Sequence, residues 1–256
     1  MELALYAQCA LLDRALAGLQ SGRPGHLDMY LLNVAGDGAQ DVFRREAEFV
    51  QTKFDRGLGT RGRSLSLINR RTTVGQMPMA ARTSMCEALQ DVTAKTNREE
   101  DILVLFLTSH GSKTHELTLN QNGMEMADLP AKDLEAVLCD TSIRWKVIVV
   151  SACYSGGLIA PLKDGSTMVI TAARHDRTCF GCADDNDFPY VGRTFFKEGL
   201  NETADFRKAS KLVAAQVREW DKPDHHSPQK ALAQKPDRQS VHSPPKNHQA
   251  CHPAPS

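Results

Sequence analysis

Two continuously apolar runs, DILVLFLTSHG at 101–111 and WKVIVVSACYSGG at 145–157, constrain this chain more than any other feature. A strand with one face in water alternates apolar and polar residues, whereas one that is apolar throughout must be covered on both faces. That requirement calls for a mainly parallel sheet between layers of helices. The surrounding segments agree. LDMYLLNVAG at 27–36 reads as a first strand, running into Gly-Asp-Gly at 36–38. Residues 40–54 put Phe43, Ala47, Val50 and Phe54 on one helical face. Residues 63–69 alternate like a shorter strand, and 79–95 return to helical spacing through Ala81, Met85, Ala88 and Val92. Residues 129–139 read as a short helix with Pro130 in its first turn. A strand at 166–174 and a helix at 205–220 complete a βαβαβαβ order with a last helix. The expectation is an α/β three-layer αβα sandwich whose crossovers share one hand.

The ends differ in kind from this middle. Residues 1–25 carry Leu5, Cys9, Leu12, Leu16 and Leu19 at helical spacing and read as an amphipathic helix packed on the domain. Glu2, Asp13 and Arg14 speak against a signal peptide there. Residues 26–220 hold the expected domain. Residues 221–256 contain seven of the twelve prolines, five of the nine histidines and no aromatic residue, a composition that cannot build a core and predicts a disordered tail.

Charge and cysteine usage exclude several classes. Lysine plus arginine equal aspartate plus glutamate at 31 each, so no net charge draws the chain to nucleic acid or anionic lipid. Seven cysteines at irregular spacing do not form a secreted disulfide framework and are expected to be mostly reduced. No apolar run is long enough for a transmembrane helix. With no signal visible, the cytoplasm is the default location; a fragment of a longer or exported protein is the alternative. Nothing in the sequence calls for a cofactor or metal, and the oligomeric state is open.

In parallel sheets ligands gather at the carboxyl ends of the strands, and two strands here end in reactive side chains, His110 and Cys153. They lie 43 residues apart (153 minus 110), room for a loop, a helix and a return strand. If the strands are neighbours, about 5 Å apart, a thiol stands beside an imidazole. An imidazole favours the thiolate, and the thiolate is the nucleophile. Ala152, Ser155, Gly156, Gly157 and Gly111 leave space for a carbonyl group to approach, and backbone amides near Gly111 and Cys153 are candidates to hold the oxygen once it becomes negative. A cysteine at a buried strand end is also a common core residue. The coincidence of both strand ends, both glycine-rich, favours a Cys-His enzyme.

These residues resemble the legumain (asparaginyl endopeptidase) family of cysteine peptidases, in its bacterial form. The likeness is carried by VFRREAEF, SHG, SACYSGG, ITAAR and FPYVGRTFF and spans about 28–220. It implies a caspase-like fold, Cys153 as nucleophile, His110 as general acid/base, the amides of Gly111 and Cys153 as oxyanion hole, and a polypeptide substrate cut through a thioacyl-enzyme. Arg44 matches the arginine of the family's substrate pocket. Tyr154 stands where an acidic residue would follow the nucleophile, and Arg193 where the pocket's aspartate is expected. These departures imply an electropositive pocket suited to an anionic side chain before the cut bond, rather than asparagine.

The same fold could serve as an inactive interaction or regulatory module, or the same dyad as a transamidase or transpeptidase. Cys179 and Cys182 form a C-x-x-C with His175 upstream, without the second ligand pair that a structural zinc site needs, and read as ordinary loop thiols. Asp184, Asp185 and Asp187 form an acidic loop, and His115 is expected at the surface. The group orienting His110 is open between Asp41 and a backbone carbonyl.

Overall fold

The computed structural model describes residues 2–122, 124, 126–179, 189, 192–203, 205–211 and 232–234 of the 256-residue chain. Its centre is a six-stranded sheet built from β1 (Met29–Ala35), β2 (Ser64–Ile68), β3 (Ile102–Thr108), β6 (Trp145–Ser151), β7 (Thr167–Thr171) and β8 (Leu232–Gln234), in the order β2-β1-β3-β6-β7-β8. The first five run parallel, and β8 is an antiparallel edge. A separate two-stranded ribbon pairs β4 (Glu116–Leu117) with β5 (Leu129–Pro130).

Alternation along the buried strands sorts the core into two layers. Leu103, Leu105 and Leu107 of β3 and Ile148 and Val150 of β6 join a cluster with Leu12, Met85, Leu89 and Leu134. These last four come from α2 (Gln8–Ala17), α4 (Arg82–Lys95) and α5 (Ala131–Cys139). Val104, Phe106, Val147 and Val149 point the other way, onto Val50 and Phe54 of α3 (Asp41–Gly57) and onto Phe195 and Phe196. Both of those phenylalanines are fully buried, worth roughly 1.5–3 kcal/mol each. They belong to a π-helical segment, Gly192–Gly199, that sequence periodicity did not expose. The mainly parallel sandwich expected from the apolar runs is therefore the observed architecture.

Several boundaries differ from expectation. The amino-terminal helix is broken into α1 (Glu2–Tyr6) and α2. The helix expected from Met79 begins only at Arg82, because Asn69 Oδ1 accepts the Ala80 N–H at 2.9 Å and holds the preceding turn extended. The helix expected from Leu129 begins at Ala131. Leu129 is buried and pairs with Leu117, and Pro130 is extended at φ −66° and ψ 153°. Of the helix expected at 205–220, residues 206–211 are helical and the remainder lies outside the described residues. Within the stretch read as a disordered tail, Leu232–Gln234 instead supplies β8, antiparallel to β7. The rest of 221–256 lies outside the described residues, as does the acidic loop at 184–187.

Among the described residues no helix is long and apolar enough to cross a membrane.

Candidate active site

The site follows from strand register. Ala35 pairs with Thr108 across β1 and β3, and Thr108 pairs with Ser151 across β3 and β6. Two residues past these three matched positions stand Asp37, His110 and Cys153. Three adjacent strands thus deliver a carboxylate, an imidazole and a thiol to one end of the sheet.

His110 is held from two sides. Its Nε2 lies 3.5 Å from Asp37 Oδ2, a polar contact too long for a strong hydrogen bond. The Phe43 ring meets the imidazole edge-on, with 4.9 Å between centroids. Asp37 is itself fixed, since its Oδ1 accepts the Ala39 N–H at 2.6 Å and the Asn120 side-chain amide at 3.2 Å. Asp41, considered above as the orienting group, is engaged elsewhere. It pairs with Arg44, Arg45 and Arg70, and its pKa is lowered chiefly by the hydrogen bond from Arg44.

Gly111 lies directly against the Cys153 backbone. A Cβ at this position would fall 2.0 Å from the Cys153 carbonyl oxygen, so only glycine fits. Beyond Cys153 the chain turns sharply. Tyr154 is left-handed at φ 55°, its N–H donates to the Arg177 carbonyl at 2.8 Å, and its own carbonyl lies 3.1 Å from His115 Nδ1. His115 is also left-handed at φ 63°, and its ring packs so tightly on Gly157 that a Cβ there would come within 2.1 Å. His115 stands beyond the end of β3, as expected, and is half-buried, where it braces the turn after the cysteine. A four-residue 3-10 turn, Ser155–Leu158, and the short α6 (Ile159–Leu162) follow.

Cys153 has a second sulfur beside it. Cys179 Sγ lies 3.1 Å from Cys153 Sγ, and the Cys179 N–H donates to Cys153 Sγ at 3.0 Å. Cys179 is therefore not an ordinary loop thiol, while Cys182 lies outside the described residues.

Below the site, Glu46 of α3 is fully buried. It accepts hydrogen bonds from Thr108 Oγ1 and from Ser151 Oγ, the latter at 3.1 Å, and a further one from the Gly192 amide. Burial pushes its pKa up to about 8, against the partial opposition of those donors. One carboxyl thus joins β3, β6 and the segment that begins at Gly192, where a Cβ would come within 1.8 Å of Glu46 Oε1. Of the expected pocket residues, Arg44 donates to both Asp41 oxygens at 2.8 Å and to Glu48 at 2.7 Å. The Asp41 hydrogen bond, with Glu48 behind it, raises the Arg44 pKa still further above its ordinary range. Arg193 falls in the π-helical segment, and its side chain lies outside the described residues.

A family model described as the Peptidase C13 family matches residues 84–231, more than half of the chain and inclusive of His110 and Cys153. The chain belongs to the peptidase C13 family. This is the legumain family of cysteine peptidases, so the legumain likeness of the motifs from SHG onward is matched by the family comparison. The fold of this C13 member is also that of Caspase-1 from Spodoptera frugiperda, with a TM-score of 0.56 at 11% identity, covering 82% of this chain and 87% of that one. No curated protein sequence matched.

Three residues around the candidate site escaped the sequence reading. Asp37 stands as far past its strand as His110 and Cys153 stand past theirs, a signal readable only once β1 is known to adjoin β3. Glu46 falls on the apolar stripe of α3 beside Phe43, Ala47 and Val50, and a carboxylate on a buried face is the mark of a paired or protonated group. The approach of Cys179 to Cys153 had no signal in local sequence.

Proposed function

We propose that this chain is a cysteine endopeptidase that cuts polypeptides through a Cys153–His110 dyad. The observation that carries the reading is the shared register of β3 and β6, which sets both residues two positions past paired strand ends. Cys153 sulfur attacks the scissile carbonyl, and the oxygen that becomes negative is received by the amides of Gly111 and Cys153, whose backbones are in contact. With Nε2 toward Asp37, Nδ1 is the ring nitrogen that exchanges protons, first with the thiol and then with the leaving amine. The resulting thioester is hydrolysed by water, which His110 activates. Asp37 acts as a positioning residue, keeping the imidazole in one orientation and supporting its charged form.

Specificity rests on Arg44, with Tyr154 and Arg193 as further pocket residues. Arg44 is neutralised in the free protein by Asp41 and Glu48, and Glu48 is the more exposed partner at 43%. An anionic substrate side chain would replace Glu48 rather than meet a bare guanidinium, and such side chains are the proposed preference.

The test is cleavage of a fluorogenic peptide library, varied at the residue before the cut bond, by wild type, Cys153→Ala and His110→Ala. The proposal requires activity in wild type and its loss in both variants. Activity that survives in Cys153→Ala, or none in a folded wild type, would turn the assignment toward an interaction module with a caspase-like fold. Amide-bond formation to an added amine acceptor would separate a transamidase from a hydrolase.

A further inference from the structure

We infer that Cys179 is a resolving thiol for Cys153, and that a hydroperoxide converts the pair into a reversible disulfide that switches the peptidase off. The regulatory half of this inference rests on Cys153 being the nucleophile; formation of the bond does not.

The two sulfurs are 3.1 Å apart, and a disulfide requires about 2.03–2.05 Å, so closing the bond needs a movement of roughly 1 Å. The approach is built into the fold. After β7 the chain folds back over the turn that carries the nucleophile, and three contacts clamp it there. The Ala173 N–H donates to Ser155 Oγ at 3.2 Å, and the Tyr154 N–H donates to the Arg177 carbonyl at 2.8 Å. Gly156 lets the backbone at His175 come so close that a Cβ would meet its nitrogen at 2.5 Å. Two residues past Arg177, the Cys179 N–H reaches Cys153 Sγ. Neither cysteine is in a disulfide, and both are of intermediate exposure, which a small oxidant can reach.

The chemistry balances with a hydroperoxide as the only added reagent. The Cys153 thiolate attacks one peroxide oxygen; an S–O bond forms, the O–O bond breaks, and the alkoxide or hydroxide leaves as an alcohol or water with the proton the thiol gave up. Cys153 is now a sulfenic acid, and the peroxide has been reduced. The Cys179 sulfur, giving up its proton, attacks the Cys153 sulfur; the S–S bond forms, the S–O bond breaks, and hydroxide departs as water with that proton. Two thiols and one peroxide become one disulfide, one alcohol and one water. A sulfenic acid that meets a neighbouring thiol first is diverted from irreversible sulfinic and sulfonic acids, and proximity makes that step effectively unimolecular. A dithiol then restores the free Cys153 sulfur.

The experiment treats the full chain, as wild type, Cys179→Ser and Cys182→Ser, with stoichiometric hydrogen peroxide, alkylates it, and maps tryptic peptides without reduction. Residues 147–163 and 178–193 are the expected partners, and the second peptide carries both Cys179 and Cys182, which is why both variants are needed. The inference expects the cross-link, with a mass loss of about 2 Da, in wild type and Cys182→Ser but not in Cys179→Ser. After a several-fold excess of peroxide, enough to carry an unprotected sulfenic acid on to sulfinic acid, peptide cleavage in wild type should fall and return on adding dithiothreitol, whereas Cys179→Ser, scored against its own untreated rate, should lose activity without recovery. A cross-link that persists in Cys179→Ser, one that vanishes in Cys182→Ser, or none in wild type would overturn it. If wild type cuts no peptide, the mapping still decides whether the pair forms, and only the proposed peptidase function falls.

Discussion

Asp37 Oδ2 lies 3.5 Å from His110 Nε2 although the two are 73 residues apart (110 minus 37), because β1 and β3 are parallel neighbours in register. Asp37 is almost fully buried at 6%, while His110 is 38% exposed, so a buried carboxyl group stands behind a partly exposed ring. The expected consequence is a loss of turnover without a loss of binding. Asp37→Ala should lower kcat by about 10–100-fold with KM little changed, as for removal of a group that aids acid–base catalysis indirectly. Steady-state kinetics and the pH profile of kcat/KM check this; a purely structural role would lower the folded fraction without moving the profile.

Gly111→Ala tests the tightest contact in the site. The added methyl group would be 2.0 Å from the Cys153 carbonyl oxygen, and backbone cannot yield as a flexible side chain does. The strands must part, at a cost of about 1–3 kcal/mol. A lower melting temperature together with near-complete loss of peptide cleavage is expected, and a retained rate would show that Gly111 does not adjoin the reacting carbonyl.

Glu46 makes stability depend on pH. Its carboxyl titrates near 8 in the folded chain and near 4.5 when free, so between these values the folded state holds more protons than the unfolded state. Unfolding free energy therefore falls as pH rises: the contribution is complete below about 4.5 and is lost as pH climbs toward 8. Denaturant titrations from pH 5 to 8 should show this decline in wild type and a flatter profile in Glu46→Gln, which keeps a neutral side chain of the same shape. Glu46→Ala should cost about 2–4 kcal/mol, through a cavity and the abandoned hydroxyls of Thr108 and Ser151.

Arg44→Ala should raise KM for peptides with an acidic residue before the cut bond by about tenfold, the scale of one charge-assisted hydrogen bond. Peptides with an apolar residue there should change little. Matched peptide pairs read this directly, and a clear preference of wild type for asparagine would reverse the proposed specificity.

How much of this was legible beforehand is best judged residue by residue. The runs at 101–111 and 145–157 determined that two strands are covered on both faces, as in a mainly parallel sheet between helices, and they marked His110 and Cys153 as strand-end residues. The family motifs around them pointed to the same pair and to the C13 peptidase domain. Local sequence could not say that β1 adjoins β3, and so could not choose Asp37 over Asp41 behind the histidine. Nor could it say that Glu46 is buried beneath the site, that Pro130 belongs to a ribbon rather than a helix, or that Cys179 returns to Cys153. Periodicity is a property of consecutive residues and sets which face of an element is apolar. Strand order, register and the path of the loop after β7 arise from packing between residues far apart in the chain, and those alone decided which groups surround the cysteine.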